Sequence, residues 1–584
     1  MIKLMKNLKL SDWILMVLSF IFIVAQVWLD LKLPDYMKEI TTIVSTSGST
    51  ISSILKAGGK MLGCAFLSMA FSILVGYFAS VISANFSYNL RQLEFEKITN
   101  FGMTEMKKFS VPSLITRTTN DITQIEMVIG MGLQMLIKAP VLAIWAVAKI
   151  LGKSWQLSII VTVAVVILVS VVLMLVFIVL PKFKKIQKQV DNLNRVTEES
   201  LVGVKVVRAF NAEEYQTQKF EKTNNELTNT QLFAMKWLSI MQPILTLVMS
   251  GLSLGIYYLG AVLINNEPLI SRVDLLGDVV AFSSYAVYVV MAFMMLTFIF
   301  MIIPRAQVSA KRINEVLTHD ISVEQGKENV NLNGDIEFKN VSFKFPNGDE
   351  ELLENINFKL QEGETLAIIG ASGSGKTTIL NLMARMYDVS DGEILLGGKN
   401  IKELSFNTLY NTISYVPQKA VMFSRSIKDN VTFGETKKKI SNKDIENAIE
   451  IAQATEFVSS QKDGLDYIIA QGGINISGGQ KQRLAIARAI ARKPKVLLFD
   501  DSFSALDFKT DKKLREQINK KLKHTTKVIV ASRIGTIKDA DKILVLKDGK
   551  IAGLGKHKEL LNNNETYKEI ALSQLSFEEL NEKE

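Results

Sequence analysis

The chain has 584 residues, 48% of them hydrophobic, with a mean hydropathy of +0.20, and at roughly 100–200 residues per domain it holds about three or four domain equivalents. Lys and Arg number 68 against 58 Asp and Glu, a net charge of +10, an excess that fits basic loops beside a membrane better than a nucleic-acid face. One cysteine, Cys64, and three histidines, His319, His524 and His557, leave no material for an internal disulfide framework or a cysteine-based zinc site, and a secreted enzyme, a metalloprotein and a disordered scaffold are excluded.

Six long apolar runs occupy residues 13–33, 61–86, 128–151, 155–181, 237–264 and 275–303. Each is near or above the ~20 residues needed to cross ~30 Å of hydrocarbon as a helix. Lys3, Lys6 and Lys9 precede the first run in the manner of a signal peptide. With no small-residue cleavage site and five more runs following, it reads as a retained helix. The connections after spans 2 and 4 are long, charged and helical in pattern. Spans 3 and 4 are joined only by Gly152, Lys153 and Ser154. An even number of spans puts both termini on one side of the membrane, and a peptidase domain ahead of Trp13 is not expected.

Lys138 in span 3 is costly if it faces lipid. It reads as a snorkelling cation, an inter-helix ion pair or a cavity residue; Gln134 and Gln242 are milder cases. Span 6 carries Tyr285, Tyr288, Met291, Phe293, Met294, Met295 and Phe298, which suit either a permissive apolar pocket or ordinary helix packing. Pro140 and Pro243 are expected to kink spans 3 and 5. After Pro304 the sequence turns polar. The chain thus divides into a membrane region at 1–304, a linker at 305–334 and a second region at 335–584.

In that second region the apolar strand Leu366–Ile369 runs into Gly370-Ala371-Ser372-Gly373-Ser374-Gly375-Lys376-Thr377-Thr378. Strand, glycine-rich loop and helix in this order cradle phosphates on backbone N–H groups; Lys376 reaches the β- and γ-phosphates and Thr377 offers a hydroxyl to Mg²⁺. A second buried strand, Val496–Phe499, ends in Asp500 and Asp501, and a carboxylate there suits a Mg²⁺ partner. Between them, Ser477-Gly478-Gly479-Gln480 opens a basic helix, either as an ordinary N-cap or as a further anion site.

Together these residues resemble the ATP-binding cassette family over essentially the whole chain. Six spans followed by a C-terminal α/β P-loop domain look like a half-transporter of the exporter type. The resemblance makes Gly370–Thr378 the Walker A loop, Gln418 the Q-loop glutamine, Ile476–Gln480 the signature motif, Asp500 the Walker B aspartate and Ser504–Asp507 the D-loop. It puts Phe345 where the family stacks an aromatic on adenine, and Mg²⁺ near Thr377, Gln418 and Asp500. It also implies coupling regions at Pro112–Arg117 and Val207–Glu213, and a two-chain assembly in which each ATP lies between one chain's Walker A and the other's signature.

Two departures stand out. The residue after the Walker B aspartate is usually the glutamate that acts as general base; here it is Asp501, about 1–1.5 Å shorter in reach, in a role worth about 10²–10⁴-fold. The usual switch histidine is replaced by Ser532. Smaller changes are Gln471 for Glu and Ile476 for Leu. The pattern resembles the degenerate-site subunit of heterodimeric bacterial multidrug exporters. It implies a multi-pass cell-membrane protein with nucleotide domain and termini in the cytoplasm, a non-identical partner half-transporter, and amphipathic cargo. The alternatives are a dedicated lipid or peptide exporter, or a non-pumping ATP-gated regulator. Nothing suggests nucleic acid.

Overall fold

The computed structural model describes residues 2–574 apart from 7, 47, 152–154, 267, 347, 349 and 437–438. The connection at Gly152–Ser154 therefore lies outside the described residues. Met1–Ile98 and Pro112–His319 form one compact unit, and Thr99–Val111 with Asp320–Glu584 form a second.

Among the described residues of the first unit, six helices are long and apolar enough to cross a membrane. Apart from the short helices Ile2–Met5 and Val204–Ala209, the helices in chain order are α1 (Leu10–Asp30), α2 (Lys32–Ser45), α3 (Ile51–Thr99), α4 (Met103–Phe109, in the second unit), α5 (Val111–Leu151), α6 (Trp155–Val202), α7 (Glu213–Ser239), α8 (Met241–Asn266) and α9 (Leu269–Leu317). Helices α3, α6 and α9 have 49, 48 and 49 residues. At ~1.5 Å per residue each exceeds ~70 Å, more than twice the hydrocarbon thickness, so their polar ends continue beyond it. The same arithmetic explains a difference from the sequence reading. Residues 305–317, taken as linker, complete α9, because polar side chains end the apolar run without ending the hydrogen-bond ladder. Pro140 lies inside the helix it was expected to kink, while Pro243 sits in the first turn of α8, just past the break at Ile240.

Ile23 and Val27 of α1, Leu142 and Ala146 of α5, and Phe282, Tyr285 and Val289 of α9 share one apolar core. Of the readings open for Lys138, the structure shows the ion pair: its ammonium lies 3.3 Å from Asp30 at the end of α1. Asp35 is bound by Lys149 at 2.7 Å. Lys38 lies 3.0 Å from Asp274 and 2.9 Å from Asp278. Tyr285 is a buried packing residue whose hydroxyl donates to Asp35, while Met291, Met294 and Phe298 remain exposed on this single chain.

The second unit is built on two sheets. β1 (Ile336–Phe343), β2 (Leu353–Leu360), β4 (Asp391–Leu396) and β5 (Lys399–Asn400) make an antiparallel sheet in the order β2-β1-β4-β5. The larger sheet runs β10-β9-β3-β8-β7-β6, from β3 (Thr365–Gly370), β6 (Ile413–Val416), β7 (Val496–Asp500), β8 (Thr526–Val530), β9 (Lys542–Lys547) and β10 (Lys550–Gly555); all pairs are parallel except β9–β10. Its inner strands β3, β7, β8 and β9 are largely buried because both faces are covered, while the edge strand β10 alternates exposed and half-buried residues. Ala367, Ile369, Leu497, Phe499, Ile543 and Val545 enter one core, while the intervening Leu366, Ile368, Val496, Leu498, Leu544 and Leu546 enter the other. The strand alternation thus welds two hydrophobic cores through one sheet.

The division also locates Pro112–Arg117, the stretch expected as a coupling region. Those residues begin α5 in the first unit, and α4 is the helix that belongs to the nucleotide unit. Glu105 holds it there: one carboxylate oxygen accepts from Gly102 N (2.8 Å), the other from Ser322 N (3.1 Å).

Candidate nucleotide site

In parallel sheets the carboxyl ends of the strands face the crevice where ligands bind. Four of the residues singled out from the sequence sit at or just past such ends: Gly370 closes β3, Gln418 follows β6, Asp500 closes β7 and Ser532 follows β8. The phosphate loop joins β3 to helix α10 (Lys376–Met383). Two of its glycines are dictated by the surrounding domain. A Cβ on Gly370 would stand 2.2 Å from the Leu546 carbonyl, and Gly375 has φ 99° with Leu353 only 2.6 Å from where its Cβ would be.

Lys376 folds back over the loop and donates to the carbonyls of Gly370 (2.9 Å) and Ala371 (2.7 Å). Burial holds its pKa below the usual lysine range, while Asp501 and Asp500 oppose that shift. The Thr377 hydroxyl donates to Asp500 Oδ1 at 2.8 Å, and the Tyr415 hydroxyl donates to Oδ2 at 2.9 Å. Burial pushes the Asp500 carboxyl up and these two hydrogen bonds pull it down, with a net rise. The Tyr415 hydroxyl is itself pushed up, first by burial and then by Asp500.

Asp501 follows with φ 45°, its N–H donating to the Val530 carbonyl at 3.0 Å. Its carboxylate accepts from Gln418 Nε2 (3.3 Å) and from Ser532 Oγ (3.4 Å). Gln418, Asp501 and Ser532 are thus brought to one point from the ends of three neighbouring strands.

Phe345 packs edge-on against Phe343 (centroids 5.0 Å) and Tyr387 (5.5 Å). The Lys107 ammonium of α4 lies 4.5 Å from its ring centroid. Ser477 N-caps helix α11 (Gly478–Ala491): its hydroxyl accepts from Gln480 N (3.3 Å), and Gln480 Oε1 accepts from Ser477 N (2.8 Å), a closed capping box. This is the N-cap reading of the segment, and it leaves Gly478 and Gly479 with no crowding from their own chain.

The residues present fit ATP and Mg²⁺. Ser374 Oγ is buried in the loop with no hydrogen-bond partner, and Gly370 and Gly375 leave no room for a side chain. Thr377 and Asp500 form the oxygen pair that suits a hard cation. When bound, Mg²⁺ neutralises phosphate charge. The sequence reading missed Tyr415, although it stands only three residues before Gln418. It also missed Lys107 and Gln574, for which no local pattern gives a signal.

Comparison with known proteins accords with this geometry. Residues 16–293 match the ABC transporter transmembrane region family and residues 353–504 match the ABC transporter family. The chain is similar to an uncharacterized ABC transporter ATP-binding protein of Mycobacterium tuberculosis, 35% identical over 549 residues and 93% of each chain. It is also similar to one of Bacillus subtilis, 37% identical over 522 residues, covering 89% of this chain and 90% of that one. The ATP-dependent lipid A-core flippase of Photobacterium profundum is 31% identical over 516 residues, 87% of this chain and 86% of the flippase. Among solved structures, a bacterial Atm1-family ABC exporter with ATP bound superposes with a TM-score of 0.80 at 22% identity, over 95% of this chain and 98% of that one. Six membrane helices, a P-loop α/β domain and relatives alike over nearly their full length place the chain in the ABC transporter family, with the fold of an exporter and an ATPase domain that couples hydrolysis to transport.

Proposed function

We propose that this chain is one subunit of a heterodimeric exporter of amphipathic small molecules, multidrug-type, that holds ATP in its own weakly hydrolysing site and lends its signature to a competent site on a non-identical partner. The observation that carries the reading is the pair Asp501 and Ser532, 3.4 Å apart at the point where the family places its glutamate and histidine. A shorter carboxylate and a hydroxyl in place of an imidazole weaken both the base and the group that orients it. The nucleotide domain and both termini lie in the cytoplasm of a bacterial cell.

Within this chain, Lys376 and the loop N–H groups bind the phosphates, and Thr377 and Asp500 hold the cation. Gln418 and Ser532 keep the Asp501 carboxylate in place, and Phe345 presents its ring to the adenine. A Cβ on Gly478 would meet nothing within 4 Å and one on Gly479 only ordinary contacts, which suits delivery of this turn to another chain's phosphates.

The test is steady-state ATPase of the purified chain, alone and co-expressed with its partner. Little turnover alone and clear turnover as a one-to-one pair is expected; robust turnover alone, abolished by Lys376→Ala, overturns the reading. Asp501→Glu with Ser532→His should raise turnover by more than the sum of the single changes, because the two groups act as a unit. A second cargo, a membrane lipid, is favoured by the flippases among the relatives. Stimulation of the pair's ATPase by lipid but not by cationic drugs would select it.

A further inference from the structure

The C-terminal helix α13 (Glu565–Leu572; α12 is Phe508–Lys521) is fixed to the nucleotide domain by side chains at both of its ends. Asn564 caps it, accepting from Tyr567 N (2.8 Å) and donating to the Ala552 carbonyl (2.8 Å). Tyr567 and Ala571 are fully buried in the core that also takes Ile534 and Ile537, and the Tyr567 hydroxyl pairs with His557 Nδ1 at 2.6 Å. Two residues past this rigid helix, the Gln574 amide closes on the loop after β8. Its Nε2 donates to the Ser532 carbonyl (2.8 Å) and its Oε1 accepts from Ile534 N (2.9 Å). The two bonds straddle Arg533 and use both ends of one amide, so they fix the backbone immediately after the switch position, Ser532.

We propose that Gln574 is a positioning residue for the ATP site: from the C-terminal helix it clasps the switch loop, and through Ser532 it sets the hydrogen bond to Asp501. The side chain of Ser532 reaches only the carboxylate, so the loop's placement comes from its backbone, and the clasp supplies it. The chain of contacts is short: Gln574 to the Ser532 backbone, Ser532 Oγ to Asp501, and Gln418 to the same carboxylate. The function assigned to the clasp rests on the proposed reading of Ser532 as the position facing the terminal phosphate.

The experiment uses the full-length chain in its membrane assembly, with two readouts. Hydrogen exchange over residues 531–537 reports the clasp itself, and the release rate of a fluorescent ATP analogue with Mg²⁺ reports its effect on the site. Gln574→Ala should speed exchange and speed release about 3- to 10-fold, the worth of a lost hydrogen bond or two. Gln574→Glu keeps the acceptor for Ile534 but sets an anion against the Ser532 carbonyl, and Gln574→Lys keeps a donor but no acceptor; neither should restore slow release. The decisive outcome is non-additivity: in a Ser532→Ala background, Gln574→Ala should add little to release while still speeding exchange. If Ser532→Ala speeds release and Gln574→Ala does not, the proposal fails while the reading of the site stands. If Ser532→Ala leaves release unchanged, the reading of Ser532 fails and the positioning role with it. Unchanged exchange in Gln574→Ala would show that there is no clasp.

Discussion

Two glycine-bearing turns open helices in this chain, and they are glycine for different reasons. In the phosphate loop the reason is internal: a side chain on Gly370 would strike the Leu546 carbonyl, and Gly375 holds a backbone conformation other residues rarely adopt. At the signature, a Cβ on Gly478 would meet nothing within 4 Å, and one on Gly479 would meet Ala505 O at 3.5 Å and Leu506 Cδ2 at 3.8 Å, both ordinary contacts. Ser477 and Gln480 already satisfy the helix end between themselves. One turn is shaped by its own domain. The other carries bare backbone that its own domain does not require, which is what a surface reserved for another molecule looks like.

Placing a charge on the second turn should therefore break assembly-level function while sparing the chain. In the proposed pair, Gly479→Asp would set a carboxylate against the phosphates held by the other subunit. Turnover of the pair should fall about 10²-fold or more, the scale of losing aligned electrostatic stabilisation, with nucleotide binding by this chain unchanged. Undiminished ATPase of that pair would remove the signature from the working site.

A methyl group gives the sharper contrast. Gly370→Ala should cost about 1–3 kcal/mol of nucleotide-domain stability through overpacking, whereas Gly478→Ala should stay within about 0.5 kcal/mol. Denaturant midpoints of the two variants decide it, and equal losses would erase the distinction drawn between the turns.

The smallest effect is expected beside the phosphate loop. Tyr415→Phe removes one of two hydrogen bonds that favour the ionised Asp500. Mg²⁺-dependent nucleotide binding should weaken about 2- to 10-fold. The sign of the pH effect follows: with its carboxyl raised further, Asp500 is protonated at higher pH, so Mg²⁺ binding is lost earlier as pH falls. Mg²⁺ titrations from pH 8 down to pH 5 measure this, and superimposable curves would show that Tyr415 does not hold Asp500.

What the sequence made legible was what repeats or lies close together. Six apolar runs announce six spans because hydrocarbon thickness sets their length, and strand, glycine loop and Lys376 are contiguous. Contacts between distant residues were not legible. Lys138 gave no sign that Asp30 was its counter-ion, since any of several acidic residues would satisfy the same chemistry. α4, a seven-residue helix, joins the nucleotide unit through Glu105, whose partner Ser322 lies 217 residues away. Gln574 binds only backbone, and backbone partners leave no trace in the identity of residues 532 and 534.

The pairing of Asp30 with Lys138 also bears on how the chain reaches the membrane. A lone lysine at the centre of a span raises the cost of insertion by about 2.5–3.5 kcal/mol. Asp30 ends the first apolar helix and Lys138 sits in the third, 3.3 Å away once folded. Synthesis runs from the N-terminus, so Asp30 precedes Lys138 in the order of translation, and pairing with it would offset part of the third span's insertion cost.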